Sequence, residues 1–136
     1  MATNAVLREF SVKTKQREEL VELTAQIDRE IQASGIQTGL CHLTVLHTTA
    51  AIWVNEAEPG LLGDFLRTLS RLVPADGEYA HPDGNGPAHI KAGIIGPSKT
   101  LQIRNGRLLR GTWQDLFLAE FDGPRERRIA VQLIPT

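Results

Sequence analysis

Asn105-Gly106 stands between two short runs, Leu101-Gln102-Ile103-Arg104 and Arg107-Leu108-Leu109-Arg110. A two-residue Asn-Gly turn tolerates positive φ at both positions and matches the twist of antiparallel strands, so this dipeptide predicts a hairpin. It commits the last third of the chain to antiparallel sheet. Trp113 to Phe121 reads as the next strand, Asp122-Gly123-Pro124 as a turn, and Arg128 to Ile134 as the returning strand. The first half obeys another period. Leu20, Leu23, Ile27 and Ile31 are three or four residues apart and predict a helix over 17–34, with Thr14 as a cap and Gly35 as a left-handed stop. A second stripe, Leu62, Phe65, Leu66, Leu69 and Val73, follows Pro59 and stops at Pro74, with Glu56 and Glu58 at its positive end. Val6–Val12 and Gly39–Leu46 alternate as strands. The fold class expected is α+β, a largely antiparallel sheet packed with two main helices, in a single compact domain over 1–136.

Function classes narrow with composition. Fifteen Lys+Arg against sixteen Asp+Glu give a net charge of -1, which argues against a nucleic-acid binder relying on excess cation. No apolar run reaches the ~20 residues needed to cross a bilayer, and Met1–Phe10 lacks the apolar stretch of a signal peptide. The single cysteine, Cys41, forms no internal disulfide and reads as a small buried hydrophobe. A cytoplasmic protein without nucleic-acid or membrane partners is expected.

Candidate chemistry gathers near irregular backbone. His47 ends a strand and runs into Thr48-Thr49; His81 and His89 flank Asp83 and Asn85 in a segment rich in proline and glycine. Imidazoles are common metal ligands, though the eight-residue spacing of His81 and His89 matches no helical ligand pair, and loop histidines also cap backbone. Glu56 could act as base, ligand or helix-start carboxylate. Turn N–H groups at Thr48-Thr49 and the fork of Arg125 suit phosphate. Arg127 reads as an exposed strand residue and Trp113 as core.

His47-Thr48-Thr49-Ala50-Ala51 with Asn55-Glu56, His81 with Asp83-Gly84-Asn85, and Ala88-His89-Ile90-Lys91-Ala92 together resemble the YjbQ-like family. Gly96-Pro97-Ser98, Gly106-Arg107-Leu108, Gly111-Thr112-Trp113-Gln114 and Phe121-Asp122-Gly123-Pro124-Arg125 with Arg127 extend the resemblance along nearly the whole chain. Gly86-Pro87 departs from the residues that relatives tend to carry before Ala88-His89. The family is also named secondary thiamine-phosphate synthase. The resemblance implies a homotrimer and a site where His47, His81 and His89 converge as metal ligands or catalytic groups. Glu56 would be ligand or base, and Thr48, Thr49, Asn85 and Arg125 would bind substrate or anion. A divalent metal, zinc or Mg²⁺, would assist. The implied function joins a pyrimidine diphosphate to a thiazole phosphate, as a main or a side activity. The alternatives are a metal-dependent hydrolase of a small phosphorylated metabolite and a non-enzymatic trimer that binds metal or anion.

Overall fold

A computed structural model describes residues 4–136. Eight strands and three helices follow in the order β1 (Val6–Lys13), β2 (Glu19–Glu22), α1 (Thr24–Ser34), β3 (Thr38–Val45), β4 (Ala50–Asn55), α2 (Pro59–Leu72), α3 (Gly86–Ile95), β5 (Ser98–Arg104), β6 (Arg107–Leu108), β7 (Asp115–Glu120) and β8 (Glu126–Pro135). Every strand pairing is antiparallel. They form a five-stranded sheet ordered β1-β8-β3-β5-β6 and a three-stranded sheet ordered β2-β7-β4.

Alternation explains how the sheets stack. Cys41, Leu43 and Val45 of β3 and Ile129, Val131 and Leu133 of β8 point one way and are buried. They meet Ile52, Leu116 and Leu118 from the three-stranded sheet, with Ile27 and Ile31 of α1 closing the same core. Burying such a side chain contributes about 1.5–3 kcal/mol. The opposite face of β4 and β7 carries Ala51, Ala119 and, just beyond, Phe121, and packs on Leu69 of α2 and Ala88 and Ala92 of α3. Trp53 stacks on Phe65 with ring centroids 4.1 Å apart. β7 is therefore covered on both faces, and its residues Leu116 to Glu120 are all buried.

The Asn105-Gly106 hairpin forms, both residues at positive φ. Its return strand is only Arg107–Leu108, so the strand runs shorter than the sequence pattern predicts. α2 also forms as expected. Glu58 accepts from Gly60 N–H at 2.7 Å and Leu61 N–H at 3.0 Å, so it is Glu58 that caps the helix.

Four expectations are corrected. The helix predicted from Arg17 begins at Thr24, because Glu19–Glu22 bonds to Phe117–Glu120 as an edge strand. Thr14 caps no helix; its hydroxyl donates to Glu120 Oε1 at 2.7 Å. A third helix, α3, rises from the end of the Pro/Gly-rich segment, with Pro87 in its first turn where no N–H is needed. Trp113 is 70% exposed and lies outside the core. None of the described helices is long and apolar enough to cross a membrane.

Candidate functional site

Two chain segments meet beyond one end of the three-stranded sheet. The first, Leu46–Thr49, links β3 to β4; the second, Phe121–Arg125, links β7 to β8. What holds them is a buried ion pair. Glu120 is fully buried and Arg127 is 2% exposed. Arg127 Nε donates to Glu120 Oε1 at 2.9 Å, and its Nη2 donates to Oε2. Nη2 also donates to Thr49 Oγ1 at 2.8 Å. Glu120 accepts two further bonds, from the Thr14 hydroxyl and from Asp122 N–H at 3.0 Å. Burial alone would raise the Glu120 carboxyl. The bonds from Arg127, Asp122 and Thr14, with the Arg127 charge, outweigh it and hold the group below its ordinary range.

The 121–126 turn is fixed by sterics as well as charge. A Cβ on Gly123 would lie 2.2 Å from Gln16 O and 2.9 Å from Glu120 Cγ, so only glycine fits. The Gly123–Pro124 peptide is cis. Arg125 N–H donates to Thr14 Oγ1 at 2.9 Å, while its Nε and Nη2 fold back on Asp122 O and Asp122 Oδ2, each at 2.9 Å. Asn85 Nδ2 donates to the same carboxylate oxygen at 2.9 Å. Burial would raise the Asp122 carboxyl, but these bonds and the Arg125 and Arg17 charges keep it low.

The result is an open cleft of about 680 Å³. It brings together His47, Thr48, Thr49, Asn85, His89 and Arg125, six of the eight residues singled out in the sequence. His81 joins from the preceding loop: its ring stands edge-on to that of His89, with centroids 4.6 Å apart, and its Nε2 is 3.6 Å from Asp83 Oδ2. Glu56 does not line the cleft. It follows β4 at the other end of the three-stranded sheet, beside Asn55, which pairs with Asp115.

Each group's free valence decides what it offers. His47 Nε2 accepts Arg128 N–H at 2.8 Å, so its proton resides on Nδ1. Burial and the charges of Arg127 and Arg128 lower its pKa and keep it neutral near pH 7. The Thr49 hydroxyl is buried against Arg127, whereas Thr48 is exposed. Asn85 Oδ1 is buried with no hydrogen-bond partner, and the amide cannot flip without setting its oxygen against the Asp122 carboxylate. Arg125 remains about half exposed, and with two donors held by Asp122 its guanidinium is oriented for an incoming anion. Among the described residues, no three His, Cys, Asp or Glu side chains are grouped as a preformed metal cage.

Glu120 is a site residue that the sequence reading passed over, and Arg127, read there as an exposed strand residue, is corrected: it is 2% exposed because its guanidinium is paired with buried Glu120 and Thr49. A signal existed: Arg127 falls in phase with Ile129, Val131 and Leu133, the inward residues of β8, while Glu126 and Arg128 fall outward.

The comparisons agree with one another. The family model described as UPF0047 protein YjbQ-like matches residues 8–136. The UPF0047 protein of Methanocaldococcus jannaschii is 43% identical over 130 residues, covering 95% of this chain and 94% of that one. UPF0047 protein YugU of Bacillus subtilis is 36% identical over 131 residues, covering 95% and 99%. The crystal structure of a YbjQ-like protein of unknown function from Sulfolobus solfataricus superposes with a TM-score of 0.95 at 37% identity, covering 99% of this chain and all of that one.

Proposed function

As this chain belongs to the YjbQ-like UPF0047 family, we propose that its cleft binds the phosphate or diphosphate of a small metabolite and carries a transfer of the thiamine-phosphate synthase type. The observation that carries the reading is Arg125: half exposed at the cleft and oriented by two bonds to Asp122. Planar guanidinium donors match phosphate oxygens in pairs. In the reaction, the bond between the pyrimidine's methylene carbon and the diphosphate oxygen breaks. The thiazole nitrogen forms the new C–N bond, and pyrophosphate leaves with the electron pair.

Such a departure is eased by donors and cations placed where charge develops on the leaving oxygens. Arg125 and the backbone of exposed Thr48 would take that charge. His47 is neutral and donates only from Nδ1, so it would hydrogen-bond a ligand without adding a like charge to a cationic centre. Thr49 would act indirectly, as the acceptor that fixes Arg127. Glu56, at the other end of the sheet, would serve this site as ligand or base only from another copy. The homotrimer that the family resemblance implies belongs to this reading.

A divalent cation fits best on the His81–His89 side. His47 Nε2 already serves the Arg128 amide, whereas His81 and His89 lie ring to ring and Asn85 Oδ1 lacks a donor. These three groups would hold the ion; two imidazoles suit zinc better than Mg²⁺. When bound, it would neutralise charge on phosphate oxygens.

The test is titration calorimetry with inorganic pyrophosphate on the parent protein and Arg125→Ala, with and without Zn²⁺ or Mg²⁺, followed by incubation with the two phosphorylated substrates. A loss of about tenfold or more in pyrophosphate affinity in Arg125→Ala, with unchanged thermal stability, is expected. Equal affinity in the two proteins would overturn the reading. Pyrophosphate release without thiamine phosphate would make the protein a hydrolase, and binding without turnover would make it a binding module.

A further inference from the structure

β5 pairs with β3 from Ser98 to Arg104, but β6 covers its other edge only at Ile103 and Arg104. Leu109 N–H extends the cover by one bond, to Gln102 O at 2.8 Å. Backbone groups alternate sides along a strand, so Thr100 turns its N–H and C=O to the same uncovered edge, and Gln102 its N–H. β4 faces this edge across a gap. Ile52 N–H donates to Gly96 O at 3.1 Å, away from β7, and Val54, two residues on, turns its backbone the same way. Between Val54 and the uncovered stretch of β5 lies a second cavity, of about 370 Å³, which shares no residue with the cleft.

Lys99 sets the chemistry of this cavity. Its ammonium donates to Ile52 O at 2.9 Å and to Ile95 O at 3.0 Å. Both acceptors are neutral, and Lys99 makes no ion pair among the described residues. The side chain is partly buried, and burial pushes its pKa down. A cation drawn out of water without an anion is costly, and one of the three ammonium protons is left for a ligand. Gln114 adds a second donor: its Oε1 accepts Gly111 N–H at 2.8 Å, which leaves its Nε2 group for the cavity. The neighbouring carboxylate, Asp115, is matched by Arg110 at 3.2 Å. Val54, Leu101 and Leu109 supply the apolar wall.

We propose that this cavity is a second ligand site, which binds a small monocarboxylate with a short aliphatic chain. The carboxylate meets the Lys99 ammonium, the Gln114 amide and the open N–H groups of Thr100 and Gln102, and the chain lies along Leu101 and Leu109. One lysine balances one negative charge, whereas a phosphate dianion or a diphosphate brings more charge than it can match. The volume and the make-up, apolar wall with a few placed donors, are those of small-molecule pockets. Gln114 belongs to the Gly111-Thr112-Trp113-Gln114 stretch, for which the cleft has no use. The site is separate from the transfer reading and stands whatever ligand the cleft takes.

Titration of the whole protein with sodium hexanoate, followed by NMR of its ¹⁵N-labelled amides, tests the site. Saturable shifts are expected at the Thr100 and Gln102 backbone amides and the Gln114 side-chain amide, while those of Thr48 and Arg125 stay in place. Hexanoate should bind at least about tenfold more tightly than acetate, because its longer chain leaves water. Pentylamine, with the same chain and the opposite charge, should not bind. Lys99→Gln should abolish saturation, and Gln114→Ala, at an exposed position, should weaken hexanoate about threefold or more. Circular dichroism establishes that each variant folds; if Lys99→Gln does not, Gln114→Ala decides alone. The absence of saturable shifts at those three amides overturns the proposal. So does pentylamine binding as well as hexanoate, and so does an unchanged hexanoate affinity in either folded variant.

Discussion

Replacing Arg127 by methionine removes the cation from a site closed to bulk solvent. Glu120 is fully buried and accepts two of its four bonds from Arg127; Thr49 Oγ1 also loses its donor. Methionine keeps much of the volume, so the loss is electrostatic rather than a cavity. Orphaning one partner of a buried pair costs about 3–5 kcal/mol, a fifth or more of a typical domain's total stability of about 5–15 kcal/mol. With an unfolding entropy of about 2.1 cal/mol/K per residue over 136 residues, this corresponds to a fall in Tm of roughly 10–17 °C. Urea unfolding followed by circular dichroism gives the free energy directly. Two further signatures identify the cause. Without Arg127, burial raises the Glu120 carboxyl and it takes up a proton more readily, so the deficit shrinks as pH falls through that raised value. The double variant Arg127→Met/Glu120→Leu buries no charge and leaves only neutral groups, on Thr14, Thr49 and Asp122, without their partners. It is therefore expected to be more stable than Arg127→Met alone. A single-variant loss below about 1 kcal/mol, or a double-variant loss equal to the sum of the two singles, would refute the reasoning.

Three other outcomes follow from the same geometry. His47 binds a proton less readily in the folded protein than in the unfolded chain, whose imidazole titrates near 6.5. Its contribution to stability is therefore complete above about pH 6.5 and is lost as pH falls through the lowered folded value. Urea midpoints between pH 8 and 5 should decline less steeply in His47→Gln, and parallel profiles would clear His47 of the effect. Gly123→Ala forces the turn off Gln16 O and should cost about 1–3 kcal/mol; an unchanged Tm would show that the turn yields freely. Lys91, only 4% exposed, donates to Glu18 at 2.7 Å and Ser70 at 3.0 Å. Lys91→Met should lose about 1–3 kcal/mol through those two acceptors, and no change in the urea midpoint would mean water replaces them.

Much of this architecture is legible in the residues. Leu62, Phe65, Leu66 and Leu69 of α2 lie on one stripe that Val73 at its C-cap continues, and Asn105-Gly106 admits few alternatives to a hairpin. The helix predicted from Arg17 starts late because Leu20 extends the spacing of Leu23, Ile27 and Ile31, although Leu20 and Val21 are both half-buried in an edge strand. Local period could not reveal that pairing, because the partner β7 lies about a hundred residues away. α3 escaped detection for a different reason. Its buried residues are Gly86, Ala88, Lys91 and Ala92, while Ile90 and Ile94 are exposed, so two of its three large aliphatic residues lie off the core face that Ala88, Ala92 and Ile95 form. Six of the eight candidate site residues come together at the cleft: His47, Thr48, Thr49 and Arg125 flank adjacent strand ends, and Asn85 and His89 reach it from the start of α3. Glu56 lies apart because a six-residue strand intervenes, a length that a motif such as His47–Glu56 conceals.

The central place of β8 has a consequence for how the protein is made. β8 lies between β1 and β3 and donates to both, yet translation delivers it after every other described element. Until it arrives, β1 has no neighbour and β3 presents an open edge, two exposed ladders that invite pairing with other nascent chains. The large sheet is thus completed last and all at once, from partners far apart in the chain, which places this fold among the slow folders. Shortening the chain before residue 126 should give not a smaller domain but an insoluble one.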